Sequence, residues 1–80
     1  MPAQPVGPPR DKRFSEREWQ VLQLLVAGAS NPEIGRILAF SASTIRNDLT
    51  VIYRKLGARS RADAAARAIA LGVTGDVSAV

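Results

Sequence analysis

The sequence predicts an all-α fold, a four-helix bundle, on the basis of helix starts and stops. Four serines are each followed three residues later by a residue that suits the first turn of a helix: Ser15 with Glu18, Ser30 with Glu33, Ser41 with Thr44 and Ser60 with Asp63. A serine at the N-cap accepts a hydrogen bond from a free backbone N–H, and an acidic residue at the third position returns one. Three glycines fall where the left-handed residue that ends a helix is expected: Gly28, Gly57 and Gly72.

Length and composition limit what the chain can be. Its 80 residues make one small domain, and 11 Lys and Arg against 7 acidic residues give a net charge of +4, which favours polyanionic partners. The absence of Cys and His excludes thiolate or imidazole metal sites and the usual nucleophile pairs. With no Gly-rich phosphate loop either, we expect no enzyme, no cofactor and no metal site. The longest apolar run, 21–29, is too short to cross a bilayer, and we expect a cytoplasmic protein.

The two ends of the chain lack helical periodicity. Four of the five prolines lie in the first nine positions, so residues 1–13 are predicted to be a flexible linker or tail. The basic cluster Arg10, Lys12 and Arg13 at its end either touches a phosphate backbone or is simply solvated. Residues 73–80 are predicted to be a C-terminal tail, which leaves 14–72 as the folded domain.

The first two predicted helices, 15–27 and 31–39, supply core. In the first, the apolar stripe consists of Trp19, Leu22, Leu25 and Val26, with Val21 at its edge. Trp19 is read as packing rather than as a ligand-stacking residue, and Leu24 is expected to be partly exposed on the far side. In the second, the apolar residues are Ile34, Ile37 and Leu38. Gly35 costs about 1 kcal/mol relative to Ala in a helix, so we expect another helix to approach it closely.

The third predicted helix, 41–56, has two faces of different character. One carries the apolar residues Ile45, Leu49, Ile52 and Leu56 at helical spacing, which predicts burial. The other carries Ser43, Asn47, Thr50 and Arg54, with Arg46 on its flank. Such side chains can meet phosphate oxygens and base edges in a major groove, although an ordinary solvated face looks similar. The short turn before this helix predicts a helix-turn-helix.

The fourth predicted helix, 61–71, is rich in alanine and has two apolar stripes. We expect the first to face the core: Ala62, Ala65, Ala66 and Ile69. The second is predicted to form a dimer interface: Ala64, Ala68 and Leu71. Its small flat side chains suit close helix contact, although alanine is also simply the best helix former.

Four segments at fixed spacing carry a resemblance to a known family. They read F-S-E-R-E-W-Q-V-L, G-A-S-N-P-E-I-G, S-A-S-T-I-R and K-L-G-A-R-S-R. From Phe14 to about Leu71 the chain resembles the LuxR/FixJ/NarL-type (GerE-like) DNA-binding domain of bacterial transcription regulators. The resemblance implies a four-helix domain without a wing, whose third helix enters the major groove and whose fourth helix commonly forms the dimer interface.

The resemblance also implies roles for individual residues. Positions facing the DNA in that family correspond to the predicted base-reading residues Arg46, Asn47 and Thr50. Candidates for phosphate contacts then lie at two helix starts: Ser30, Asn31, Ser43 and Thr44. Separately from the resemblance, the cations Arg54 and Lys55 at the end of the third helix are also predicted to contact phosphate. Gly35 replaces the usual Ala, Val51 stands where the family often has Asn, and Asp48 where it often has His. We expect Asp48 to be partly neutralised by Lys55 or to accept a hydrogen bond from a cytosine amino group.

The predicted function is a sequence-specific duplex-DNA-binding transcription regulator, either the effector domain of a response regulator or a stand-alone regulator. We expect a weak homodimer that is favoured on DNA. One alternative is a sigma-factor region-4-like promoter reader. The G-x-S-N segment and the fourth, alanine-rich helix favour the regulator over this alternative. Another is a helical protein-interaction module that binds no DNA.

Overall fold

A computed structural model describes residues 11–75, and these residues form four α-helices with no strand. The helices are α1 (Glu16–Val26), α2 (Asn31–Leu38), α3 (Ala42–Leu56) and α4 (Arg61–Ala70). The predicted all-α class and all four helices are therefore confirmed. The predicted tail segments 1–10 and 76–80, including Arg10, lie outside the described residues. None of the described helices has the length and apolarity that a membrane crossing requires.

All four predicted serines act as N-caps. Ser15 and Ser30 form complete capping boxes, in which the side chain of the third helical residue, Glu18 or Glu33, accepts from the backbone N–H of the cap. Ser41 and Ser60 accept from the backbone N–H three residues on, without that reply. Each helix start therefore has at least one of its free N–H groups satisfied by a local side chain.

Three of the four helices end near the predicted glycines, and α2 ends at an alanine. Gly28, Gly57 and Gly72 have φ of 94°, 67° and 95°, the left-handed region that glycine enters without a steric penalty. After α2 the left-handed residue is Ala39, with φ of 65°. A side chain in this conformation costs roughly 1–2 kcal/mol, and here it makes the turn between α2 and α3 only three residues long.

Gly35 lies against that turn rather than against another helix. It is buried, and a Cβ atom at this position would overlap the carbonyl oxygen of Phe40. The Gly35 carbonyl accepts a hydrogen bond from the Phe40 N–H at 2.7 Å. The missing side chain thus lets the turn fold back on α2. Ile37, predicted as one of the apolar core residues of this helix, is instead 45% exposed.

The core is built around α1, which is buried on most of its circumference. Trp19, Leu22 and Leu25 are in the core as predicted, but so is Leu24, which is 1% exposed. The expectation that Leu24 is partly exposed is wrong, because the other helices cover α1 on more than one side. Val73 is also buried, so the first residue of the predicted C-terminal tail belongs to the core.

The facing of α4 is opposite to the prediction for most of its residues, although Ala65 is partly buried against the core as expected. Ala64 and Ala68 have no exposed surface and belong to the core, whereas Ile69 is 58% exposed and Ala62 and Ala66 are exposed. The predicted dimer stripe of Ala64, Ala68 and Leu71 is therefore the face that packs inside, with Leu71 partly buried against the core. Small side chains at 64 and 68 let α4 approach the rest of the bundle closely, a requirement that outweighs the greater hydrophobicity of Ile69.

The segment ahead of α1 is attached to the end of α3. Phe14 is 4% exposed. The Arg13 guanidinium donates to the Lys55 carbonyl at 3.1 Å, and the Lys55 ammonium donates to the Arg13 carbonyl at 2.8 Å. Arg13 also pairs with Asp11 at 2.8 Å, which lowers the pKa of that carboxyl to about 2. Residues 11–13, predicted as part of the tail, are thus bound to the fold.

Candidate nucleic-acid interface

The outer face of α3 presents the predicted polar side chains. Ser43, Arg46, Asn47, Thr50 and Arg54 are all exposed. The opposite face is in the core as predicted, and consists of Ile45, Leu49, Ile52 and Leu56. Polar groups and cations thus stand on a rigid helix whose orientation is fixed by its buried side.

Local hydrogen bonds set the chemistry of this face. The Thr50 hydroxyl donates to the Arg46 carbonyl at 3.1 Å, so its oxygen remains available as an acceptor. No hydrogen bond to another described residue involves the side chains of Arg46, Asn47 or Arg54. The face therefore offers two guanidinium groups, one amide with both donors and acceptor, the hydroxyl of Ser43 and the hydroxyl oxygen of Thr50.

The start of α3 carries a small hydroxyl cluster. Ser41 caps the helix by accepting from the Thr44 N–H at 3.1 Å, and the two hydroxyl oxygens lie 2.9 Å apart in a second hydrogen bond. Ser43 is exposed beside them, and Thr44 is half-buried. The partial positive charge of a helix N-terminus adds to these donors, which suits a phosphate oxygen.

At the start of α2, Asn31 is oriented by a residue of α4. The Arg61 guanidinium donates to the Asn31 side-chain oxygen at 2.9 Å and also to the Ala29 carbonyl. With its oxygen engaged, the Asn31 amide is left with its NH₂ donors. Ser30 is exposed, but the hydrogen bond from its backbone N–H lowers the pKa of Glu33, which keeps a negative charge beside it. Asn31 is thus better suited than Ser30 to a phosphate.

Lys55 differs from its predicted role as a phosphate contact. Its ammonium group lies 2.9 Å and 3.0 Å from the two carboxylate oxygens of Glu18 and 2.8 Å from the Arg13 carbonyl. These three contacts occupy its three N–H donors. Although burial raises the pKa of Glu18, hydrogen bonds from the Ser15 N–H and from Lys55 lower it below its ordinary value. Lys55 therefore ties α3 to α1 and is not free to bind DNA.

Asp48 is paired with a residue that the sequence reasoning did not consider. Its Oδ1 atom accepts from the Arg17 guanidinium at 2.7 Å, and its side chain is 14% exposed. Neither of the two expected roles, a pair with Lys55 or acceptance from a base, fits this geometry. The guanidinium carbon of Arg17 also lies 4.9 Å from the centre of the Phe40 ring.

Arg17, Phe40 and Arg61 are thus the residues near the interface that sequence reasoning missed. Arg17 lies 31 positions from Asp48, and Arg61 lies 30 positions from Asn31. No local pattern connects partners so far apart. The one available signal was an acidic residue, Asp48, next to a face predicted to meet a polyanion, because such a charge needs a cation nearby.

Comparison with known families places the chain. The family described as bacterial regulatory proteins, luxR family (GerE), matches residues 12–68, which is well over half of the 80 residues. No solved structure matches the chain. The matched segment includes all of α1, α2 and α3 and most of α4. The chain therefore belongs to the luxR family of bacterial regulatory proteins and is a DNA-binding helix-turn-helix domain of the transcription-regulator type.

Proposed function

We propose that this domain regulates transcription by binding specific duplex-DNA sequences with α3 in the major groove. The observation that carries the proposal is the division of α3 into two faces. Ile45 and Ile52 have no exposed surface, while Asn47, Thr50 and Arg54 are exposed on the opposite side. A major groove about 12 Å wide admits such a helix, and only an outward polar face can then reach base edges.

The proposed roles follow from chemistry and position. Arg46, Asn47 and Thr50 read bases, since guanidinium and amide groups can form paired hydrogen bonds with guanine and adenine. Phosphate contacts come from Arg54 and from the two helix starts, at Ser30, Asn31, Ser43 and Thr44. The proposal includes no catalytic step. It includes action in the cytoplasm, either as the effector domain of a response regulator or as a stand-alone regulator.

We also propose that two copies of the domain pair through the solvent-exposed face of α4. A single module of this kind buries roughly 600–1,000 Å² on DNA, which favours two copies on repeated half-sites. The exposed side of α4 carries Ala62, Ala66 and Ile69. This apolar surface is small, so we expect a weak homodimer that forms on DNA.

The test compares a base-reading residue with a phosphate-binding residue. Bound sequences are first selected from a random duplex pool, and affinities are then measured on the selected duplex and on random duplex over a range of salt. Asn47→Ala should relax the preference at one base pair by roughly 1–3 kcal/mol, and Arg54→Ala should weaken binding to all sequences and lower the salt slope by about one. Arg54→Lys keeps the charge and should keep the slope.

Two outcomes would contradict the proposal. Equal losses on selected and random duplex for Asn47→Ala would remove the base-reading role of α3. Binding without salt dependence would point to a protein-interaction module, because phosphate contacts release counterions.

A further inference from the structure

We propose that Arg17 of α1 contacts a DNA phosphate, and that Asp48 and Phe40 hold its guanidinium in position for this contact. The inference rests on the proposed entry of α3 into the major groove. It assigns Asp48 as a positioning residue that acts through Arg17. None of the DNA contacts proposed above comes from α1, so the contact of Arg17 extends the DNA-binding surface to this helix.

The guanidinium of Arg17 is fixed from two directions. Its Nη2 atom lies 2.7 Å from Oδ1 of Asp48 on α3, and its central carbon lies 4.9 Å from the centre of the Phe40 ring in the turn before α3. Arg17 itself is the second residue of α1. A flexible side chain is thereby confined to one place, so less freedom is lost when a ligand binds it.

This confinement leaves most of the hydrogen-bonding capacity of Arg17 unused. A guanidinium has five N–H donors, and the described residues engage only Nη2. The side chain is 46% exposed. An aromatic ring covers a face of the guanidinium, while the N–H groups point outward in its plane. Nη2 has two N–H groups and uses one of them for Asp48, so its second N–H and a neighbouring N–H of Nε or Nη1 can form the paired hydrogen bonds with which Arg commonly holds a phosphate.

The position of Arg17 is beside the part of α3 that approaches DNA in helix-turn-helix domains. Asp48 directly follows Asn47 and lies one turn beyond Thr44, and Phe40 directly precedes the helix cap Ser41. Recognition helices contact base edges with their N-terminal residues, and the strands' phosphates flank the groove on both sides. A cation anchored at the edge of this segment therefore lies next to the position expected for a flanking phosphate.

The state of Asp48 supports a positioning role rather than contact with DNA. Its side chain is 14% exposed, and its second oxygen, Oδ2, is buried without a hydrogen-bond partner among the described residues. A carboxylate enclosed in this way cannot turn outward to a base. Its available interaction is the one with Arg17, and it also offsets part of the charge that the guanidinium brings to the fold.

The experiment measures salt-dependent binding to random duplex for Arg17→Ala, Asp48→Asn and the double variant. Arg17→Ala should weaken binding to selected and random duplex by the same factor and lower the salt slope by about one. Its defect should therefore shrink about fourfold between about 50 and about 200 mM salt. Asp48→Asn retains the cation and should keep the parent slope, and the double variant should bind as weakly as Arg17→Ala.

Two results would overturn the proposal. An unchanged salt slope in Arg17→Ala would make the Arg17 cluster a purely structural link between α1 and α3. Recovery of parent affinity in the double variant would mean that Arg17 only cancels the charge of Asp48. If Arg17→Ala is unfolded by circular dichroism, Arg17→Gln replaces it, because glutamine retains a polar side chain with N–H donors and removes the charge.

The same measurements separate this inference from the proposed function. If α3 does not read DNA, the parent shows no preference for the selected duplex, and Asn47→Ala changes nothing. If only the role of Arg17 is wrong, the parent and Asn47→Ala behave as proposed, and the salt slope of Arg17→Ala equals that of the parent.

Discussion

Replacing Ala68 with Glu should unfold the domain, because the facing of α4 places this residue in the core. Ala68 has no exposed surface, and its carbonyl accepts from the N–H groups of Leu71 and Val73, each at 3.0 Å. A buried carboxylate without a partner costs several kcal/mol, and the larger side chain adds roughly 1–3 kcal/mol of overpacking. A domain of this size has only about 3–5 kcal/mol of net stability.

The matched control is Ala66→Glu, two residues earlier on the same helix. Ala66 is exposed, so the same added charge should change the free energy of unfolding by no more than about 0.5 kcal/mol. Far-UV circular dichroism at 25 °C should show lost helix for Ala68→Glu and parent-like helix for Ala66→Glu. Equal melting temperatures of the two variants would show that the assigned facing of α4 is wrong.

Three further predictions concern stability and assembly. Ile45→Ala should lower the free energy of unfolding by roughly 2–5 kcal/mol, and an unchanged urea midpoint would mean that the two faces of α3 have been exchanged. The pKa of Glu18 lies below its ordinary 4.5 in the folded state, because hydrogen bonds from the Ser15 N–H and from Lys55 outweigh the opposing effect of burial. The stability that the ionised Glu18 carboxylate contributes to the fold should be complete above pH 4.5, and it should be lost as the pH falls towards the pKa of Glu18 in the folded state. The melting temperature of Glu18→Gln should therefore depend less on pH over this acidic range than that of the parent. Ile69→Glu should abolish cooperative binding to a duplex with two half-sites and leave single-site affinity within a few-fold; a parent-like cooperativity would exclude this face as the dimer contact.

The helices themselves were predictable because their signals are local. A serine cap such as Ser15 and its partner Glu18 are three residues apart, and the glycine stops of α1, α3 and α4 lie within two residues of the helix ends. The faces of α3 were predictable because large aliphatic residues such as Ile45 alternate at helical spacing with polar ones such as Asn47. In both cases a few neighbouring residues contain the whole pattern.

The facing of α4 was not predictable in the same way. Both of its stripes are made largely of alanine, so Ala62 and Ala64 look alike in the sequence. Which of them is buried depends on how closely α4 approaches its neighbours, a tertiary property. The predicted partial exposure of Leu24 was wrong for a related reason, since the periodicity of α1 shows which side is most apolar but not how many helices surround it.

For the site residues as well, features set by the local sequence were predictable, and features set by tertiary contacts were not. The exposed polar face of α3 follows from its own sequence, whereas the partner of each charged residue does not. Lys55 was expected to bind phosphate, but it is 37 positions from the carboxylate of Glu18 that engages it. Ala39, which ends α2 in the left-handed conformation, has no glycine or asparagine to signal it.

The link between Arg13 and Lys55 has a mechanical consequence. Two hydrogen bonds of opposite direction join these residues, each from the side chain of one to the carbonyl of the other. A pull on the chain ahead of Asp11 therefore loads these two bonds as well as the covalent chain that leads into α1, and through Lys55 it reaches the last turn of α3 and the carboxylate of Glu18. Part of any tension applied at the N-terminal side of the domain thus reaches the helix that carries Asn47 without first passing along α1 and α2.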